Sequence, residues 1–440
     1  MKHYFYALVD KAISELADNE ILTMYLSGEQ TDFCRFNHAK IRQHGHVQQA
    51  FLSLRLICDG RKTIAHLPLT QRREEDERAL RSHLVNLREQ VKLLPEDPHL
   101  IYSRVETSSE FSGKEDTIYS HKIIEDVCLG AKNLDFVGLL ASGQIFNGYA
   151  DSFGQKNWFE TNSYNLDWSL YLEKDKAYKD CLAGFKWDTD AFHAKISGSA
   201  QALAVLKKAP ITISPGKYRV FLAPSAVSEL CELLGNGGFS MQAHQAHFSP
   251  LTKMTQGEKQ LNEKISIYEN FGSGLAANFN EDGFMRPSSL ALIEHGKIKN
   301  YLVSPRTSKE YGAATNGASE RESAVALDMH GGLLKQNQIL SELGEGLYVS
   351  NLHYLNYSDR VNGRITGMTR FATFWVEDGK IKAPLNVMRF DDSIYNILGQ
   401  NLEELTQERE FVFSTMTYFE RSRDSQHLPG ALVRDFCFTL

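Results

Sequence analysis

No stretch of this 440-residue chain stays apolar for the ~20 residues that a membrane-crossing helix needs. The opening "MKHYFYALVDKAISELADNE" places Asp10, Lys11 and Glu15 where a secretion signal requires an unbroken apolar run. The six cysteines, Cys34, Cys58, Cys128, Cys181, Cys231 and Cys437, include no close pair. That spacing is neither a disulfide framework nor a zinc ribbon. A reduced, cytoplasmic protein without a membrane partner is the expectation. Basic charge is short as well: 48 Lys and Arg stand against 55 Asp and Glu, a formal charge of −7. Nucleic acid is not expected as a partner, because such affinity comes largely from neutralising phosphates with Lys and Arg.

Familiar catalytic signatures are missing too. No G-x-x-x-x-G-K-[ST] offers backbone amides to a nucleotide phosphate, and no G-x-S-x-G presents a serine nucleophile. "GSGLAANFNEDGF" (272–284) is glycine-rich without the G-x-G-x-x-G spacing and reads as turns. Among 15 histidines there is no H-E-x-x-H. His44 and His46 alternate on a strand and read as surface. His244 and His247, in "MQAHQAHFSP", could share one side of a helical turn. With Cys231 they form the one weak candidate for a metal set.

What is present fits an ordinary globular chain, with 42% hydrophobic and 23% charged residues. Apolar spacing predicts helices over 3–17, 72–94, 115–132, 188–207 and 224–234. Alternation predicts strands through 20–66, 134–174 and 217–223. Asp59-Gly60 reads as a tight hairpin turn. The mixed charge run "RREEDER" (72–78) reads as a solvated helix face. Pro210 and Pro215 interrupt any regular element, which suggests a boundary between residues 1–210 and 211–440. The expected fold class is α+β: an N-terminal mixed α/β domain, then a mainly antiparallel β domain dominated by hairpins. "LIEHGKIKNYLV" (292–303) and "WVEDGKIKAPL" (375–385) echo one another, either as shared turn chemistry or as a duplicated hairpin.

Two charged residues sit oddly in this pattern. Arg364 and Arg370, with Thr366 and Thr369, lie on the strand that continues as Phe374-Trp375-Val376. They either line something wet and charged or pair with carboxylates at a rim or an interface.

"YRVFLAP" (218–224), "NEDGFMRPSSLALIEHGKIKNYLV", "EYGAATNGA" and "RITGMTRFATFWVEDGKI" together resemble the TldD/PmbA family, known also as TldD/TldE or "modulator of DNA gyrase" proteins and viewed as metallopeptidases. The resemblance runs over nearly the whole chain. It implies two kinds of subunit. TldD-like chains carry His-Glu-x-x-Gly-His on the helix after the YRV-type strand and bind zinc with those histidines and a later cysteine. TldE-like chains lack the motif and pair with a TldD-like chain. Here the motif positions read Cys231-Glu232-Leu233-Leu234-Gly235-Asn236: the Glu and the Gly match and both histidines are replaced. Only Cys437 follows Cys231. Residues i and i+5 lie about 140° apart on an ideal helix. The resemblance therefore implies a non-catalytic, TldE/PmbA-like subunit with no metal of its own and with zinc in a TldD-like partner. It would help enclose a chamber and position peptides or unfolded segments for cleavage, with Arg364, Thr366, Thr369, Arg370 and Asn316 as candidate peptide-binding groups. Two alternatives stay open: an active metallopeptidase using ligands outside the motif, and a stand-alone homodimeric peptide-binding or regulatory protein.

Overall fold

The computed structural model describes residues 1–106, 108–113, 118–173 and 176–439. The start of the helix expected at 115–132 and the last residue of the strand run 134–174 lie outside the described residues.

The first half is one sheet with helices on it. Helix α1 (Lys2–Ile13) leads into β1 (Glu20–Asn37), β2 (Lys40–Cys58) and β3 (Arg61–Pro68), then α2 (Arg73–Val91), β4 (Ser109–Ser112) and α3 (Ser120–Gly130). Three more strands follow, β5 (Asp135–Asp151), β6 (Lys156–Glu173) and β7 (Lys176–Gly184), and then α4 (Thr189–Val205). The strand order is β3-β2-β1-β5-β6-β4, with β7 also on β6, and only the β4–β6 pair is parallel. Asp59 and Gly60 both take positive φ, 47° and 72°, as the expected hairpin turn requires. Apolar faces of α1 and α2 close one end of this sheet through Phe5, Leu8, Leu80 and Leu84. Those of α3 and α4 close the other through Ile123, Val127, Phe192 and Ile196. The "RREEDER" run is mostly solvated, with one departure. Asp76 is buried, and its carboxylate accepts from the Thr70 and Gln71 backbone N–H groups and the Tyr4 hydroxyl.

The second half is an eleven-stranded sheet that closes on itself. Strand β8 (Gly216–Leu222) runs into α5 (Pro224–Gly235). Short elements follow: α6 (Met241–Gln245), α7 (Thr252–Thr255), β9 (Ile267–Glu269), β10 (Leu290–Glu294), β11 (Lys297–Ile298), α8 (Pro305–Tyr311), β12 (Ala326–Met329) and α9 (Ile339–Leu343). Long strands return with β13 (Gly346–Asp359), β14 (Arg364–Glu377), β15 (Lys380–Pro384), β16 (Arg389–Ser393), β17 (Leu402–Phe413) and β18 (Ser425–Phe438). Pairing runs β18-β16-β14-β13-β8, and β8 pairs again with β18, so these five strands form a ring. The largest apolar cluster draws on all five strands, through Val220, Leu347, Ile365, Phe390 and Val433.

The α+β class stands, and the second sheet is mainly antiparallel as expected, with β8–β13 and β12–β18 parallel within it. One expectation for this half is corrected. Residues 241–345 are not dominated by hairpins: β10–β11 is the hairpin there, turning at His295-Gly296 (φ 47° and 75°). Elsewhere in that stretch, buried side chains tie loops together. The fully buried Glu322 carboxylate accepts from Ser304 N at 2.7 Å, Ser240 Oγ at 2.6 Å and Gln242 N at 2.9 Å. Such long-range side-chain bonds leave no period in the sequence, so propensity and alternation cannot show them. The second echo hairpin, β14–β15, turns at Asp378-Gly379 with the same pair of positive φ values, 52° and 67°. Among the described residues no helix is long and apolar enough to cross a membrane.

Candidate functional site

Helix α5 has two working faces. Pro224 starts it at a position where its missing N–H costs nothing. Ala226, Val227, Leu230, Cys231 and Leu234 form a helical stripe buried in that apolar cluster. Ser225, Ser228, Glu229, Glu232, Gly235 and Asn236 fall on the other side and line a cavity of about 480 Å³. The remaining walls come from both halves of the chain. Strand β7 supplies Lys179, Asp180 and Cys181, β13 supplies Asn351, and the β17–β18 connection supplies Ser414 to Met416. A second cavity, about 540 Å³, shares Lys179, Asp180, Cys181 and Ser225 with the first and extends to Lys195, Tyr348 and Glu410.

The motif positions therefore divide between environments. Glu232, Gly235 and Asn236 reach the cavity, whereas Cys231 is 1% exposed among leucines. Burial pushes the Cys231 thiol up to about 12, so it stays protonated at neutral pH. The helix ends at once: Gly237 takes φ 86°, and Gly238 N donates to Leu234 O at 2.8 Å. Arg360 fixes this end by donating to Asn236 O at 2.8 Å while stacking on Phe248 and Tyr357.

These positions do not fit a zinc ion. Cys231 sits in the apolar core and the Asn236 carboxamide on another face of the helix, so the two offer no converging donors. Among the described residues no three His, Cys, Asp or Glu side chains converge as a cation site. His244, His247 and Cys231 are not brought together either. His244 is buried, its Nε2–H donates to Gly238 O at 2.9 Å, and its Nδ1 faces the Thr255 hydroxyl at 3.0 Å. Burial lowers its pKa. His247 is exposed with φ 54°. Cys437 sits on β18 opposite Lys217, away from the cavity lining.

The five candidate peptide-binding residues also lie outside that lining. Asn316 uses its side chain internally, accepting from Val303 N and donating to Tyr301 O. Thr366 Oγ1 donates to Phe390 O at 3.0 Å, and the buried Thr369 Oγ1 accepts from Met388 N at 3.0 Å. Arg364 and Arg370 are both exposed on β14. Arg364 pairs with Asp391. Arg370 stacks on Phe371, and no ion pair holds it among the described residues. Beyond them, Ala372 and Phe374 pack into the apolar cluster shared with the first half. One strand can thus be wet at its start and buried at its end, because a second layer covers only part of it.

Charge around the first cavity is predominantly negative. Burial, then Glu232, pushes Glu229 up to about 7, with Lys179 opposing. Burial raises Asp180 to about 6, against the pull of Lys195. Lys195 Nζ bridges Asp180 at 3.2 Å and Glu410 at 2.5 Å. Burial works to lower this lysine, but the two carboxylates more than reverse it and hold it well above its ordinary range. Sequence reasoning missed Lys179, Asp180, Glu229 and Asn351. Glu229 and Glu232 at i, i+3 on one helix were a readable signal, whereas the β7 residues carry none.

The family model described as the PmbA/TldA metallopeptidase C-terminal domain matches residues 215–439. Comparison with curated proteins gives no match. Among solved structures the chain is similar to TldE from Thermococcus kodakarensis, with a TM-score of 0.78 at 15% identity, covering 99% of this chain and 100% of that one. It is similar also to a Thermotoga maritima protein labelled a modulator of DNA gyrase, at TM-score 0.75 and 15% identity, covering 99% and 100%. A Bacteroides thetaiotaomicron protein with the same label gives 0.74 at 15% identity, covering 100% and 98%.

Proposed function

Because the chain belongs to the TldD/PmbA metallopeptidase family, we propose that it is a TldE-like, non-catalytic subunit of a cytoplasmic zinc peptidase. Its part is to wall the chamber and hold extended peptide for a metal-bearing, TldD-like partner. One observation carries this reading: α5 presents Cys231 to the core and Asn236 to the cavity where the family resemblance expects two zinc-binding histidines. Glu232 keeps its place at the cavity wall but has no metal-bound water to act on as a base. The fold supports the reading as well, since TldE of Thermococcus kodakarensis shares it over the full chain.

Metal analysis and peptidase assay of the purified chain test this. The expected result is far less than one zinc per chain, no hydrolysis alone, and hydrolysis once a chain bearing His-Glu-x-x-Gly-His from the same cells is added. Near-stoichiometric zinc with chelator-sensitive turnover by this chain alone would overturn it. Arg370 is exposed and free of ion pairs among the described residues, and in this reading it meets peptide carboxylates or carbonyls. Arg370→Ala should weaken peptide turnover by the assembled pair about threefold or more, and unchanged turnover removes that role.

A further inference from the structure

The walls of the α5 cavity carry a net sign. Asp167, Asp180, Glu229, Glu232 and Asp424 reach it, against one ammonium, Lys179. The two aspartates from the first sheet already have cations, Asp167 with Lys179 at 3.3 Å and Asp180 with Lys195 at 3.2 Å. Glu229 and Glu232, one turn apart, have no such partner at ion-pair distance among the described residues.

A second observation points to the same kind of occupant. Asn351 is 9% exposed, lines the cavity, and its carboxamide oxygen meets no donor. Gln426 Oε1, of another residue lining this cavity, is also without a partner. A buried acceptor left without a donor is destabilising. The two buried side-chain atoms of this lining that lack a partner are both acceptors, and its two glutamates without an ion-pair partner are negative. A metal ion is not the complement, since no three carboxylates converge among the described residues. A larger cation that carries several N–H donors is.

We propose that the α5 cavity binds the cationic group of an extended peptide against the Glu229–Glu232 pair, beside the carboxamides of Asn351 and Gln426. The group is an ammonium or guanidinium, from a lysine or arginine side chain or from a free N-terminus. This rests on the reading of the chain as a peptide-holding subunit.

Fluorescence anisotropy with the full chain and three C-terminally labelled peptides of one length tests it. One is neutral and N-acetylated, one N-acetylated with a single arginine, and one neutral with a free N-terminus. Binding about tenfold tighter for the arginine peptide or the free-amine peptide than for the blocked neutral one is expected, and which of the two gains identifies the source. The double variant Glu229→Gln, Glu232→Gln, isosteric and uncharged, should abolish that preference while leaving the melting transition in place. Equal binding of all three peptides, or a preference that survives the double variant, overturns the cation assignment and leaves peptide holding intact. Failure of every peptide to bind overturns both.

Discussion

Glu269 is a glutamate kept where water cannot reach it, on β9 and 1% exposed. Its Oε1 accepts from Val325 N at 2.8 Å and Ala326 N at 3.1 Å, and its Oε2 has no donor. Burial pushes the carboxyl up from 4.5 to about 7. The folded chain therefore holds a proton that the unfolded chain has released, so this stabilisation is full below pH 4.5 and lost as pH rises through 7. Glu269→Gln keeps the acceptor and never ionises. Denaturant titration should show it more stable than the parent by about 1–3 kcal/mol at pH 8 and nearly equal at pH 5. Parallel pH profiles would contradict this. Glu229 titrates near 7 beside Glu232 and Lys179, and Asp180 titrates in the same range but is held by Lys195. The N-acetylated arginine peptide, whose charge is constant over this range, should therefore bind more tightly at pH 8 than at pH 6, and a flat affinity profile would exclude Glu229 from the contact.

At the scale of the element, α5 depends on how it stops. A Cβ at Gly238 would lie 2.3 Å from Leu234 O, a backbone atom that cannot step aside. Gly238→Ala should cost about 2–3 kcal/mol in denaturant titration and disturb the cavity wall with it; a neutral change would mean the helix end is not rigid. The amphipathic stripe of this helix was legible, since Val227, Leu230 and Leu234 recur at helical spacing. What faced its opposite side was not. The exposed Arg364–Asp391 pair shows the same limit: alternation marks Arg364 as outward, and only strand order places Asp391 on the neighbouring β16. Pairs this exposed contribute little, about 0–1 kcal/mol.

Across the whole molecule the two halves are locked together. Arg55 of β2 pairs with Glu281 and Asp282 in the second half. Arg421, 4% exposed, reaches into the first sheet to donate to Ser163 Oγ at 2.7 Å. Apolar clusters join Ile145 and Ala183 to Leu275 and Phe413, and Tyr149 and Phe159 to Ala277 and Phe279. Separating the halves would strand buried charges and expose these faces, so calorimetry should show one unfolding transition. Two resolved transitions would mean that the contacts between halves are weak.

Local physics in the chain itself settled the class of fold, most helix and strand positions and the Asp59-Gly60 turn. Backbone propensity, apolar period and residue chemistry act within a few positions, and a linear reading captures them. The ring closure of β8 on β18, the burial of Cys231 against the exposure of Glu232, and the meeting of Lys179 and Asp180 with α5 were decided only by packing. Those contacts join residues tens to hundreds of positions apart, and no short pattern encodes which surfaces will face one another.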